Sequence, residues 1–164
     1  MLIELPAVWI IALNVVGWLV IQLGMAWAFT RMPAVWFDPN PEYAWEKGGR
    51  FYERVFAIKR WKDQLPDAAR WFSGGFAKGT MRSREPEYLA RFIRETRRGE
   101  LCHWIAIACA PLFMIWTPWW GELIIIAYSF AANLPCILVQ RYNRLRFARA
   151  LEGQRRSAGP KRQT

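Results

Sequence analysis

The residues best suited to chemistry are Glu100 and His103, which lie within the stretch 97–104. They are three residues apart, so on a helix they share a face. His103 is the only histidine in the chain. It lies about one helical turn inside an apolar run, where an ionisable side chain is costly without a partner. Because histidine moves protons readily near neutral pH, we predict that His103 is a general base whose tautomer Glu100 fixes.

The same residues allow other interpretations. His103 is then a structural histidine at the entry to a helix, and Glu100 pairs with Arg141 or Arg144 instead. Cys102 is a weaker candidate for a thioester intermediate, because a buried apolar thiol is inert. The three cysteines have no metal-ligand spacing, so neither a metal site nor a disulfide is expected.

A histidine beside a carboxylate suits acyl transfer onto a hydroxyl group. Basic and aromatic surroundings favour an acceptor with a lipid tail and a sugar or anionic head. They also favour acyl-coenzyme A, which carries phosphates, or an acidic acyl carrier protein as the acyl donor. Arginines, or backbone N–H groups of the glycine-rich stretch 71–80, would stabilise the oxyanion.

These side chains must be positioned by membrane helices. The chain is 54% hydrophobic, and the apolar residues are concentrated in runs at about 5–29, 101–117 and 122–140. The sequence therefore predicts an all-α integral membrane protein with three transmembrane helices in a single domain, 1–164. In the first run Asn14, Trp18 and Gln22 recur at four-residue spacing, so this face should contact protein rather than lipid.

Charge predicts the orientation. All 23 lysines and arginines lie in the segment 31–99 or in the basic tail 141–164, and the net charge is +10. The positive-inside rule then places the N-terminus outside and the C-terminus inside, in a membrane that the chain crosses several times. Because membrane topology accounts for the basic residues, nucleic-acid binding becomes the weaker interpretation.

The segment between the first two spans contains further predicted helices. The stretch 49–62 has the spacing of a basic amphipathic helix lying on the membrane surface. The stretch 86–100 predicts a helix that continues into the second span. Pro135 favours a kink in the third span, and 153–164 has the composition of a disordered end.

Three motifs resemble the glycosyl-4,4'-diaponeurosporenoate acyltransferases: RGELCHWI at 98–105, ANLPCILVQRYNR at 132–144 and IKRWK at 58–62. The resemblance implies a small bacterial membrane enzyme that esterifies a fatty acyl chain onto the sugar of a glycosylated carotenoid. By position it adds a set of substrate-binding candidates: Lys59, Arg60, Trp61, Lys62, Trp104, Asn133, Gln140, Arg141, Tyr142, Asn143 and Arg144.

Two other functions remain open from the sequence. One is a non-catalytic membrane subunit whose basic face binds anionic lipid or an acidic partner. The other is an acyltransferase for a different membrane glycolipid. The acyl donor and the oligomeric state do not follow from the sequence.

Overall fold

The computed structural model describes residues 1–38, 42–65 and 85–158, and across these residues it contains helices and no strands. The α-helices are α1 (Ala7–Arg31), α2 (Arg50–Phe56), α3 (Pro86–Ala108) and α4 (Trp119–Ala158). Short 3-10 helices lie at Ala34–Trp36, Lys47–Gly49, Ile58–Arg60, Lys62–Gln64 and Ala110–Ile115. Three stretches are long and apolar enough to cross a membrane: Ala7–Arg31, Pro86–Ile115 and Trp119–Ser157. The prediction of an all-α protein with three candidate spans is confirmed.

Helix α1 exposes most of its apolar surface, as expected for a helix in contact with lipid. Its buried side chains are Trp18 and Phe29. Trp18 packs against Ala110 and Phe113 in the connection between α3 and α4. At the same end of the molecule, the N–H groups of Leu2 and Ile3 donate to the carbonyl oxygen of Ile115.

Helices α3 and α4 form an antiparallel hairpin. Pro86 opens α3 at a position where its missing N–H has no cost, and α3 continues without a break into the second candidate span, as predicted. The α-helix ends at Ala108 and not at residue 117, because Pro111 cannot donate to an α-helical ladder. A 3-10 helix therefore completes this span.

Helix α4 includes the third apolar run and continues into the basic tail. It passes through Pro135 and ends at Ala158, so the predicted disorder is wrong for 153–158. Residues 159–164 lie outside the described part of the chain. The extension is helical because its apolar residues pack on α3: Leu151 buries against Leu89 and Ile93, and the Phe92 and Phe147 rings are 4.3 Å apart.

The prediction of one continuous helix over 49–62 is wrong. Helix α2 ends at Phe56, because Ala57 adopts a left-handed conformation with φ 48°. The indole N–H of Trp61 donates to the freed carbonyl of Phe56 at 2.9 Å. Ile58 is then buried with Tyr52 against α4, so this segment packs on the helical hairpin.

Polar side chains join the three spans, as the spacing in α1 predicted. The Asn14 side-chain oxygen accepts from the Trp116 indole at 2.7 Å and from the Thr117 hydroxyl at 3.1 Å. The Gln22 amide donates to Asn133 of α4 at 3.1 Å. Near the other end of α1, Arg98 of α3 donates to the carbonyl of Met32 at 2.6 Å. These bonds fix α1 against the hairpin at three depths.

Candidate active site

A buried charge network lies where α3 and α4 meet the segment between the first two spans; we call this region the basic end. Its centre is Glu46, whose side chain is fully buried. Arg141 donates to both oxygens of this carboxylate, from Nε at 2.6 Å and from Nη2 at 2.9 Å. The Tyr52 hydroxyl and the Tyr43 backbone N–H also donate to it, at 2.7 and 2.8 Å. Two directed bonds to one guanidinium give both energy and a fixed geometry.

These hydrogen bonds perturb the titration of Glu46 and its neighbour. Burial alone raises the pKa of Glu46, but the bonds from Arg141, the Tyr43 N–H and Tyr52 outweigh it, so the pKa lies below its ordinary value. Burial and the bond to this carboxylate raise the pKa of Tyr52. Glu46 is therefore ionised and Tyr52 is neutral at physiological pH.

The turn after Glu46 brings this carboxylate to α4. Lys47, Gly48 and Gly49 all have positive φ angles, and Gly49, with φ 94°, leads directly into α2. A Cβ atom on Gly49 would lie 3.0 Å from the ring of Tyr142. Glycine at this position thus supplies both the backbone conformation and the close approach to α4.

Glu100 is the second carboxylate of the network. It forms ion pairs with Arg97 at 3.3 Å, with Arg141 at 3.8 Å and with Arg144 through a short contact. Glu100 and Arg144 are both buried. Among the described residues, three arginines therefore surround Glu46 and Glu100, which leaves one excess positive charge in this cluster. Such a site favours an anion or a developing negative charge.

A cavity of about 550 Å³ opens beside this network. Of the described residues that line it, Arg97, Glu100 and Arg141 form its charged end and the others are aromatic or aliphatic. A volume of this size suits a small-molecule site with few polar groups that fix orientation. The remaining lining residues are Tyr43, Trp45, Phe51, Tyr52, Phe56, Leu101, Trp104, Leu134, Ile137 and Leu138.

His103 lies on the neighbouring face of α3 and is not among the residues that line this cavity. Its Nδ1 atom is 2.8 Å from the side-chain oxygen of Asn133. The Asn133 amide donates to the carbonyl of Ser129 at 2.9 Å, which identifies its other atom as the acceptor. His103 must therefore donate from Nδ1, and in its neutral form Nε2 carries the lone pair.

The partner expected for His103 is thus corrected. Asn133, supported by Gln22, occupies the position that the sequence suggested for Glu100. The reason is charge: Glu100 lies among arginines, whose ion pairs hold a buried carboxylate more strongly than a neutral imidazole would. The alternative pairing of Glu100 with Arg141 and Arg144 is the one that the structure bears out.

The other predicted site residues separate into two groups. Trp104 and Arg141, like Glu100, line the cavity. The remaining candidates lie elsewhere. Lys59 and Arg60 are exposed, and Trp61 packs beside Ile58. Tyr142 is buried, and its hydroxyl donates to Glu53 at 2.7 Å. Lys62, Gln140 and Asn143 are partly buried outside the cavity lining. The glycine-rich stretch 71–80 lies outside the described residues.

Sequence reasoning missed Glu46 and, apart from Trp104, the aromatic wall of the cavity. The one available signal for Glu46 was an acidic residue directly before Lys47-Gly48-Gly49, a turn sequence in a strongly basic segment. Nothing in the spacing linked Glu46 to Arg141, which lies 95 residues further along the chain.

Comparisons with known proteins identify one family. A model of the glycosyl-4,4'-diaponeurosporenoate acyltransferases matches residues 33–153, which include the whole charge network. Proteins of that name from Staphylococcus aureus strains USA300, NCTC 8325 and MRSA252 are 32% identical over 138 residues, covering 82% of this chain and 83% of theirs. No solved structure matches the chain. The chain belongs to the glycosyl-4,4'-diaponeurosporenoate acyltransferase family.

Proposed function

We propose that this chain esterifies a fatty acyl group onto a sugar hydroxyl of a glycosylated carotenoid, at the cytoplasmic face of the bacterial cell membrane. The name of the relatives supports the acceptor and the reaction. The cavity is the main observation that supports this location for the reaction. It joins an apolar wall to a cationic end, and it lies at the basic end of the protein. The positive-inside rule supports a cytoplasmic position for that end.

The reaction forms one ester bond and breaks one bond to the acyl donor. The sugar oxygen attacks the acyl carbonyl carbon, and the bond from that carbon to the thiol sulfur of acyl-coenzyme A or acyl carrier protein breaks. The hydroxyl proton goes to a base and then to the departing thiolate. Arg97 and Arg141, at the charged end of the cavity, are suited to stabilise the oxyanion formed in between.

His103 is the proposed base. Its Nδ1–H is held by Asn133, so Nε2 is free of a proton in the neutral ring and can accept one. Asn133 and Gln22 are positioning residues that fix this tautomer. Trp104, the next residue on α3, lines the cavity, which brings the imidazole-bearing turn alongside it. For His103 to act as the base, the acceptor hydroxyl has to reach the acyl carbonyl from the side of α3 that carries the imidazole.

Mass spectrometry of lipids tests this proposal. Cells or membranes containing the wild type, His103→Ala or Ile105→Ala receive a glycosylated carotenoid and a pool of other glycolipids. Ile105 is a matched control because it is exposed on α3 and lies outside the cavity lining. We expect wild type and Ile105→Ala to add one acyl chain to the carotenoid, and His103→Ala to add none at an equal membrane level.

Each other result contradicts a defined part of the proposal. Full activity in His103→Ala would remove His103 from the reaction. Acylation of another glycolipid and not of the carotenoid would change the acceptor. Absence of any acylated lipid with the wild type would contradict the enzymatic function at this site.

A further inference from the structure

We infer that the cavity holds the acyl chain of the donor, with the carbonyl at Arg97 and Arg141 and the chain leaving between Trp104 and Leu134 into the bilayer. This inference rests on the proposed acyl transfer, but it concerns which substrate occupies the cavity. It separates the positions of the two substrates: the donor chain lies inside the protein, and the acceptor approaches from outside it.

The arrangement of the lining gives the cavity a direction. Arg97 and Trp104 are two turns apart on α3, and Arg141 and Leu134 are two turns apart on the antiparallel α4. The wall therefore runs about 10 Å along the helices, from charged to apolar. Trp104 and Leu134 are 42% and 37% exposed, and both lie on candidate spans. The apolar end is thus open toward lipid.

The polar groups of the cavity fit an acyl group better than a sugar. Glu100 is already paired with arginines, and Arg141 already donates two bonds to Glu46. A sugar ring needs several directed hydrogen bonds, and its hydroxyls lose their water if those bonds are not replaced. A thioester needs one favourable contact for its carbonyl oxygen, which the excess positive charge provides, and its chain needs only apolar contacts.

The open end has a consequence for chain length. A chain longer than the cavity passes between Trp104 and Leu134 and continues into lipid. A large side chain at this exit should therefore exclude long acyl groups and tolerate short ones. The variant Leu134→Trp enlarges a side chain at the exit, and Leu123→Trp makes the same change on an exposed part of α4 outside the cavity lining.

Binding is measured without any acceptor, in detergent, by quenching of tryptophan fluorescence with brominated palmitoyl-coenzyme A. Unlabelled palmitoyl-coenzyme A or octanoyl-coenzyme A then competes, and only the reversible part of the quenching is counted. We expect Trp104→Phe to lose much of this reversible quenching, and Trp120→Phe, an exposed tryptophan outside the lining, to retain it.

For Leu134→Trp we expect at least a tenfold loss of palmitoyl competition, with octanoyl competition close to that of wild type. Leu123→Trp should match wild type for both chains. If Leu134→Trp binds both chains as wild type does, or if reversible quenching is unchanged in Trp104→Phe, the inference is wrong.

The two proposals can fail separately in these experiments. Reversible, exit-dependent binding without any carotenoid ester would contradict the proposed function and leave the donor site standing. Ester formation without exit-dependent binding would contradict the donor site alone. Palmitoyl groups on an acyl carrier protein or on a phospholipid, used as competitors, distinguish the source of the chain.

Discussion

Removal of the Glu46 carboxylate tests whether the buried charge network holds the extramembrane segment against α4. In Glu46→Leu, Arg141 loses both short bonds to this carboxylate and keeps its 3.8 Å contact with Glu100 and its position over the Tyr43 ring. Breaking a buried ion pair by removing one partner costs about 3–5 kcal/mol, because the remaining charge is left uncompensated. We expect a decrease of that size in the free energy of unfolding.

The double variant Glu46→Leu/Arg141→Met separates the charge from the packing. Replacing a buried pair by apolar residues of similar volume is often neutral or stabilising. Glu100 keeps Arg97 and Arg144 as partners in this variant. The double variant should therefore recover most of the stability that the single variant loses.

Unfolding by sodium dodecyl sulfate in mixed micelles, followed by tryptophan fluorescence, gives the comparison. Lys59→Met is the control, because it breaks an exposed ion pair with Glu53, and exposed pairs contribute little. If the double variant is as unstable as Glu46→Leu, the uncompensated charge of Arg141 is not the cause of the loss, and the reasoning is refuted.

Three further predictions use the same unfolding assay. The stability difference between wild type and Glu46→Gln should be present above the ordinary pKa of 4.5 and should be lost as the pH falls through the lowered pKa of Glu46, because protonation removes the charge in wild type too. Gly49→Ala should lower the free energy of unfolding by about 1–3 kcal/mol, since φ is 94° and a Cβ would meet a tyrosine ring at 3.0 Å. The control Gly153→Ala has open space around it in α4 and should be neutral or stabilising. Gln22→Leu should cost about 0.5–1.5 kcal/mol, as expected for one interhelical hydrogen bond to Asn133 in a membrane. A midpoint unchanged by Gln22→Leu would contradict that role.

The spans and their polar contacts could be predicted because their signals are local. The length of an apolar run alone shows whether it can cross a bilayer. The helical period alone places Asn14, Trp18 and Gln22 on one face. The bonds from Asn14 and Gln22 to the hairpin confirm that this face contacts protein. The predicted hairpin also implied that residues near 100 lie close to residues near 141. The ion pairs of Glu100 with Arg141 and Arg144 confirm this.

The segment between the spans was harder to predict because tertiary packing overrides its helical period. The spacing of Phe51, Val55, Ile58 and Lys62 fits one continuous helix. In the structure the chain turns at Ala57, which allows Ile58 to bury fully against Tyr142 and Leu145. Burial of a large aliphatic side chain contributes about 1.5–3 kcal/mol, which offsets the roughly 1–2 kcal/mol cost of a left-handed alanine.

The partners of Glu100 and His103 could not be assigned from the sequence for a different reason. The three-residue spacing predicted that Glu100 pairs with His103. It gave no information about the arginines of α4 that bind Glu100, or about Glu46, which binds Arg141. Once Glu46 compensates Arg141, Arg97 and Arg144 remain to hold Glu100, and the histidine turns to a neutral amide. Glu46 thus acts on this arrangement without touching His103, because by holding Arg141 it leaves Arg97 and Arg144 to Glu100.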